Sequence, residues 1–240
     1  MAVTYSSYLR LDELLDVQTP LSGGRDHDEM LFIVVHQVYE LWFKQILHEL
    51  DRLQLLFDQD DDPRVRHTLK RVLTILKVLV AQLDILETMT PLEFLSFRSL
   101  LESGSGFQSW QFRGVEFALG QKREAAVKHY PANSTPHRWL ADRLQRPSIW
   151  DAFLHFLARA GYPVPDEMLN RDVREPVRPS PEIQRILLLD GPAVLGDPST
   201  WPNQSGCIAS LTRSLRRLLD EGTIADADAE AMARLLNGAM

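Results

Sequence analysis

Arg98 has the side chain best suited to bind a carboxylate, and it directly follows the apolar residue Phe97. A carboxylate that enters an apolar pocket must be paired, and the planar guanidinium of arginine offers two parallel donors that lysine cannot match. Most arginines instead lie at the surface, where they are solvated or form ion pairs. Residue type and position leave both roles open for Arg98.

His36 is the residue best suited to exchange a proton. It ends the apolar run Phe32-Ile33-Val34-Val35-His36, where a neutral imidazole can accept or relay a proton if a second partner sets its tautomer. The alternative is a core histidine bonded to a backbone carbonyl, which the residues alone favour. Glu40 shares its helix face, but His48 lies too far along to complete a metal site, and the Glu-x-x-His pairs of dinuclear bundles are absent. We therefore do not predict a site for a bare metal ion.

Long helices with one apolar face must position both residues. Apolar side chains recur at three- and four-residue steps over residues 26–58 and again over residues 63–89, which predicts two long helices. Thr90-Pro91-Leu92-Glu93 is a capping-box start for a further helix that contains Arg98. Shorter helices are predicted at residues 7–17, 108–119 and 147–161. No segment alternates as a hairpin strand does, so the predicted fold class is all-α.

The chain changes character after Tyr162. Residues 163–206 hold eight of the fourteen prolines. Helical stretches are predicted there and beyond at residues 181–189, 208–220 and 225–236. We therefore predict a helical core over residues 1–165, followed by a divergent, proline-rich segment with C-terminal helices, residues 166–240, in the same domain.

Composition narrows the possible partners and the compartment. The net charge of −7 and the lack of a Lys/Arg run argue against a nucleic-acid partner. The sequence contains no run of about 20 apolar residues, the length that a membrane-spanning helix requires. Charged residues come too early for a signal peptide, and the single Cys207 cannot form an internal disulfide. These features predict a cytoplasmic protein.

Several strings along the chain, in order and with suitable spacing, resemble the tryptophan 2,3-dioxygenase family. They are Thr4-Tyr5-Ser6-Ser7-Tyr8-Leu9-Arg10-Leu11-Asp12, His27-Asp28-Glu29-Met30-Leu31-Phe32-Ile33-Val34-Val35-His36-Gln37, Glu40-Leu41-Trp42-Phe43-Lys44, Leu86-Glu87-Thr88-Met89-Thr90-Pro91, Phe97-Arg98 and Ser105-Gly106-Phe107-Gln108-Ser109. The resemblance runs from about Thr4 to Pro165. It implies an all-helical bundle that binds haem, usually as a homotetramer. It also implies that the protein is an enzyme that opens the indole ring of L-tryptophan, or of a related indole, with O2 to give N-formylkynurenine.

The resemblance also implies roles for individual residues. His36 matches the distal-side histidine that faces the indole nitrogen, and Arg98 matches the arginine that binds the substrate carboxylate. Phe32 matches a residue of the indole pocket, and Phe94 is the other aromatic residue that the resemblance places among the substrate-binding residues. Phe94 and Phe112 stand where the family often has tyrosine. Three N-terminal residues match a segment that reaches into a neighbouring subunit's site: Tyr5, Tyr8 and Leu9. Two residues match the loop near haem and substrate: Ser105 and Gly106.

One feature of the family has no counterpart here. The family's haem ligand is a histidine of a C-terminal helix, in an Arg-x-Arg-His-like stretch followed by a Gly-Thr-Gly-Gly-Ser-Ser-Gly-like loop, whereas the last histidine of this chain is His155. Three explanations remain open. The C-terminus is altered and the chain is a haem-free remnant; another side chain, with Cys207 the soft candidate, ligates the iron; or the scaffold serves another task. The iron ligand is therefore unknown.

Two alternatives to the dioxygenase follow. One is a related haem-dependent enzyme that hydroxylates an aromatic amino acid. The other is a haem-free, catalytically inactive protein that binds an amino acid or serves in assembly.

Overall fold

The computed structural model describes residues 2–183, except for the side chain of Phe107. These residues are mostly helical and contain no β-strand, which confirms the all-α class. The α-helices are α1 (Tyr5–Leu9), α2 (Leu11–Leu14), α3 (His27–Asp58), α4 (Asp62–Leu86), α5 (Pro91–Arg98), α6 (Trp110–Ala118), α7 (Glu124–Lys128), α8 (Thr135–Gln145), α9 (Ile149–Arg159) and α10 (Asp166–Leu169). Two 3-10 turns, Ser99–Leu101 and Gly106–Gln108, lie between α5 and α6.

The long helices occur where the apolar periodicity predicts them. α3 begins one residue later than predicted and has Asp28 and Glu29 in its first turn, where carboxylates suit the helix dipole. α4 ends three residues earlier than predicted, at Leu86. The Thr88 hydroxyl donates to the Ile85 carbonyl at 2.7 Å, which satisfies an acceptor that the helix leaves open at its end.

The capping-box start predicted for α5 is confirmed, and α9, predicted at residues 147–161, begins with a similar cap. At α5 the Thr90 hydroxyl accepts from the Glu93 amide at 3.3 Å, and the Glu93 carboxylate accepts from the Thr90 amide at 2.7 Å. At α9 Ser148 and Asp151 form the same reciprocal pair. Such local bonds satisfy amides that a helix start leaves without partners.

Other parts of the helix prediction are wrong or incomplete. The single helix predicted at residues 7–17 is two short helices, because Arg10 has a left-handed backbone with φ 52°. The prediction also misses α7, α8 and α10. α8 has a local signal, since Ser134 caps it and Pro136 lies in its first turn. The helices predicted at residues 208–220 and 225–236, most of residues 181–189, and Cys207 lie outside the described residues.

The chain forms two compact units. Unit 1 comprises Met1–Trp42 and Leu76–Ser109, and unit 2 comprises Phe43–Ile75 and Trp110–Met240. In unit 1 the Tyr39 hydroxyl donates to the Leu79 carbonyl at 2.7 Å, and the Gln82 side chain donates to the Val35 carbonyl at 3.0 Å. These bonds join the first half of α3 to the second half of α4. The predicted domains 1–165 and 166–240 remain a prediction.

Unit 2 has its own apolar clusters. One consists of Phe117, Ala126, Val127, Leu140 and Leu144. Here α6 and α8 approach closely at Gly114, where an added Cβ would lie 2.3 Å from the Trp139 ring. Only glycine fits at this contact. A second cluster packs α9 against the segment that follows it.

Lys122 is a buried cation in unit 2. Its side chain is 1% exposed, and its ammonium donates to the carbonyls of Leu144, at 3.2 Å, and of Arg146, at the end of α8. Burial lowers the pKa of Lys122 to about 8, against the attraction of Asp151. The Lys122 side chain therefore stabilises the C-terminal end of α8, although burial of its positive charge is unfavourable.

We expect the contribution of Lys122 to stability to rise with pH. Its pKa is about 8 in the folded protein and 10.5 when unperturbed, so between these values the unfolded chain binds more protons and folding is favoured as pH increases. Urea denaturation should show the free energy of unfolding of the wild type, relative to Lys122→Met, increasing across this window. Lys128→Met, at an exposed lysine, controls for general alkaline effects. A flat difference would contradict the prediction.

Candidate functional site

Four rings of unit 1 form an aromatic cluster, which we call the Phe32 cluster: Phe32, His36, Phe94 and Phe97. The Phe32 ring centroid lies 4.1 Å from that of His36, 5.7 Å from Phe94 and 5.6 Å from Phe97. The rings of Phe94 and Phe97 meet edge to face at 5.5 Å. Phe32 and His36 are four residues apart on α3, and Phe94 and Phe97 are three apart on α5, so each pair shares a helix face. Two helix faces therefore build one apolar wall beside an imidazole.

The tautomer of His36 follows from one hydrogen bond. Its Nδ1 lies 2.7 Å from the Phe32 carbonyl oxygen. A carbonyl oxygen can only accept, so Nδ1 carries the proton. In the neutral ring Nε2 is then unprotonated and can accept a hydrogen bond from a ligand N–H. His36 can therefore fill both roles considered for it. Nδ1 donates to a backbone carbonyl, and Nε2 remains able to accept a hydrogen bond from a ligand.

Arg98 ends α5, directly after the buried Phe97. One guanidinium nitrogen, Nη1, donates to the Glu102 carbonyl at 3.0 Å. Arg98 forms no ion pair within residues 2–183, in contrast to Arg71, Arg143 and Arg171. The edge formed by Nε and Nη2 is thus available for a carboxylate, and the bond to Glu102 limits the motion of the side chain.

The loop after α5 approaches His36 through a glycine. A Cβ added to Gly106 would lie 3.9 Å from both Cδ2 and Nε2 of the His36 ring. The absence of a side chain leaves space next to the available nitrogen. Ser105 is exposed in the same loop, and its carbonyl accepts from the Gln108 amide at 2.9 Å.

The N-terminal aromatic residues lie apart from the Phe32 cluster. Tyr5 and Tyr8 on α1 are each 77% exposed, and Leu9 is 40% exposed. The helix that carries them is short but capped at both ends, by Thr4 and by Arg10. The structure therefore groups His36, Phe32, Phe94 and Gly106, places Arg98 next to this group along the chain, and leaves the three N-terminal side chains facing solvent.

Sequence reasoning missed Phe97 as a site residue. Phe97 is 0% exposed and contacts both Phe32 and Phe94. It packs against the two other phenylalanine rings of the Phe32 cluster and directly precedes Arg98. The only indication of this role in the sequence is its place directly before Arg98, because the spacing of apolar residues does not show which aromatic rings contact one another. Phe112, where the family often has tyrosine, belongs to unit 2 and packs on Phe43 at 5.3 Å.

Comparison with known proteins gives two regions of similarity to families. Residues 1–146 match the family described as tryptophan 2,3-dioxygenase. Residues 177–240 match a different family, described as the C-terminal domain of tetracyclin repressor-like proteins. Only the first few residues of that second region are described by the structure.

Alignments with individual relatives cover more of the chain than the first family match does. A tryptophan 2,3-dioxygenase of Herpetosiphon aurantiacus is 57% identical over 187 residues, which is 78% of this chain and 72% of that protein. A tryptophan 2,3-dioxygenase of an Anaeromyxobacter species is 49% identical over 200 residues, which is 81% of this chain and 74% of that protein. The tryptophan 2,3-dioxygenase of Caulobacter vibrioides is 45% identical over 187 residues, which is 78% of this chain and 70% of that protein. These alignments are longer than the span from Thr4 to Pro165, so the resemblance extends further than the sequence strings indicate.

We expect Phe97→Leu to weaken the binding of an indole ligand. Shortening the ring removes the edge contacts that support Phe32 and Phe94, at a cost of about 1–3 kcal/mol in stability. Phe117→Leu is the matched control, because Phe117 is also 0% exposed but belongs to a cluster of unit 2. Calorimetry with L-tryptophan should show a roughly fivefold or greater loss of affinity for Phe97→Leu alone, and urea denaturation should show similar destabilisation of both. Equal losses of affinity would assign Phe97 a purely structural role.

Proposed function

Because this chain belongs to the tryptophan 2,3-dioxygenase family, we propose that it opens the indole ring of L-tryptophan with dioxygen and yields N-formylkynurenine. The observation that carries the proposal is the arrangement around His36. An acceptor nitrogen lies beside an apolar wall, with a glycine next to it. Arg98 follows the wall in sequence and forms no ion pair within residues 2–183. This is the set of groups that a zwitterionic amino acid with an indole ring requires.

The family depends on haem, and the residues of unit 1 fit one face of such a group. The apolar Phe32 cluster, the available Nε2 of His36 and the space at Gly106 would line the site where haem and substrate bind. Unit 1 has one other histidine, His27, which is exposed in the first turn of α3. Neither histidine of unit 1 corresponds to the C-terminal histidine that ligates the iron in the family. The haem would supply the activation of dioxygen, which protein side chains do not provide.

The side chains of this chain bind and orient the substrate. The free edge of Arg98 pairs with the carboxylate of L-tryptophan through two parallel hydrogen bonds. Phe32 and Phe94 pack against the faces and edge of the indole and exclude water. In the neutral ring, the bond from Nδ1 to Phe32 selects the tautomer in which His36 Nε2 can accept a hydrogen bond from the indole N–H. Orientation of the ring and removal of water are the contributions of the protein.

We further propose that the protein is a cytoplasmic homotetramer in which Tyr5, Tyr8 and Leu9 complete a neighbouring copy's site, and that Ser105 and Gly106 lie near the haem. The exposure of both tyrosines on a capped helix supports this role, because large aromatic side chains are rarely left in solvent without a partner surface. No helix in residues 2–183 is long and apolar enough to cross a membrane.

A second candidate is a haem-free protein that binds L-tryptophan without oxidising it. The observation that favours it is that neither histidine of unit 1 corresponds to the C-terminal haem ligand of the family. It requires the same pocket residues but predicts binding without turnover.

Titration of the purified protein with haemin separates the two candidates. The dioxygenase predicts a saturable Soret band at one haem per chain, in ferric and ferrous forms, and N-formylkynurenine from L-tryptophan and O2. If the band is lost in Cys207→Ala, that thiolate is the iron ligand. Saturable binding of L-tryptophan without a Soret band would contradict the dioxygenase and support the second candidate.

Arg98→Lys tests how the substrate is held. A lysine keeps the positive charge but loses the two-donor edge, so we expect the affinity for L-tryptophan to fall about tenfold or more. Binding of tryptamine, which lacks the carboxylate, should not change. Arg64→Lys, at an exposed ion pair with Asp61, is the control. An equal loss for tryptamine and L-tryptophan would contradict carboxylate recognition by Arg98.

A further inference from the structure

We propose that Glu29 and Gln37 are positioning residues that hold the N-terminal arm, residues 4–26, on α3 so that its side chains can complete a tryptophan site. The inference rests on the proposed function, in which Tyr5, Tyr8 and Leu9 act in a neighbouring copy. Neither Glu29 nor Gln37 belongs to the Phe32 cluster.

Glu29 binds the end of the arm that is nearer to α3. Its side chain is 1% exposed, and its two carboxylate oxygens accept from the backbone amides of Leu21, at 2.7 Å, and of Ser22, at 2.9 Å. Burial raises the pKa of Glu29, but the hydrogen bonds from Ser22 and Leu21 outweigh it and leave the pKa below its ordinary value. The carboxylate is therefore ionised at neutral pH, and both of its bonds are charge-assisted.

The turn that Glu29 binds contains two glycines and is also held by hydrogen bonds of its own. Gly23 and Gly24 have φ values of 65° and 83°, and an added Cβ at either would meet nothing within 4 Å. Within the turn, the Arg25 side chain donates to the Ser22 carbonyl at 2.9 Å, and the Asp26 amide donates to the Ser22 hydroxyl at 3.3 Å. Ser22 itself is buried, at 2% exposure. Loss of the carboxylate charge would therefore weaken the attachment of a buried serine in a glycine-containing turn.

Gln37 binds the part of the arm that is nearer to α2. Its amide nitrogen donates to the Val17 carbonyl at 3.1 Å, and its amide oxygen accepts from the Gln18 side chain at 2.6 Å. Gln18 also donates to the Leu14 carbonyl, at 2.9 Å, where α2 ends. One side chain of α3 thus holds the segment that follows α2 and, through Gln18, the end of α2.

Helix geometry relates both anchors to His36. Glu29 and Gln37 are eight residues apart, so they lie just over two turns apart along α3 and about 80° apart around its axis. Phe32 and His36 lie within the same stretch, about 60° and about 20° from Glu29 on the side away from Gln37. A rigid helix therefore sets the position of the arm relative to the imidazole, and any rotation of α3 moves both together.

The same helix offers matched controls in unit 2. Glu49 is also buried, at 2% exposure, and its carboxylate accepts from Gln45 at 2.7 Å and from Arg71 at 2.8 Å. Glu49→Gln and Gln45→Ala therefore disturb a buried carboxylate and a glutamine of α3 without touching the arm. They can be compared directly with Glu29→Gln and Gln37→Ala.

The experiment uses the full chain and measures two quantities for each variant. Trypsin cleavage after Arg25 reports release of the turn, since cleavage follows the population of the open form. Calorimetry with L-tryptophan reports completion of the site. We expect Glu29→Gln to raise the cleavage rate about tenfold or more and to weaken L-tryptophan binding several-fold, and Gln37→Ala to act in the same direction. Glu49→Gln and Gln45→Ala should leave both quantities close to the wild type.

The outcomes separate the inference from the function on which it rests. Unchanged cleavage after Arg25 in both arm variants would overturn the anchoring. Faster cleavage with affinity equal to that of Glu49→Gln would overturn the positioning role while the proposed function stands. A wild-type protein that does not bind L-tryptophan would overturn the proposed function, and with it the purpose assigned to the arm.

Discussion

The hydrogen bond from His36 Nδ1 to the Phe32 carbonyl is the interaction on which the candidate site depends. It joins residues one helical turn apart, so it forms wherever α3 is helical and needs no other element. It directs the unprotonated nitrogen away from the backbone and places the imidazole against the Phe32 ring at 4.1 Å. Every other group of the site acts relative to this ring. Phe94 and Phe97 extend its apolar side, and Gly106 leaves space at its nitrogen.

The length of α3 explains how several tasks share one helix. Its first three turns contain the anchors of the N-terminal arm, the Phe32 ring and the imidazole, and its second half contributes Leu50, Leu53 and Phe57 to buried parts of unit 2. A helix of 32 residues spans about 48 Å at 1.5 Å per residue. The site is therefore placed by a rigid part of the fold, while the groups that close it lie on short, separately capped segments.

The helix ends show where short-range sequence patterns predict the structure and where they fail. Thr4, Thr90 and Ser148 cap their helices with hydrogen bonds to residues three positions away. The break at Arg10 follows no such rule, because a left-handed arginine is rare and its neighbours Leu9 and Leu11 suit a continuous helix. Ser134 and Pro136 carried a start signal for α8 that the apolar pattern, weak in this polar helix, did not support.

The sequence by itself determined the helical class, both long helices, the start of α5 and, through its likeness to known relatives, the family. These properties depend on contacts within a few residues or on the order of whole strings. Only the tertiary structure decided that Phe97 supports the wall, that Glu29 binds the backbone of Leu21 and Ser22, that Gln37 holds Val17 and Gln18, and that Gly114 must be small. Each of these depends on which faces of distant elements meet, and periodicity shows that a face is apolar without showing what covers it.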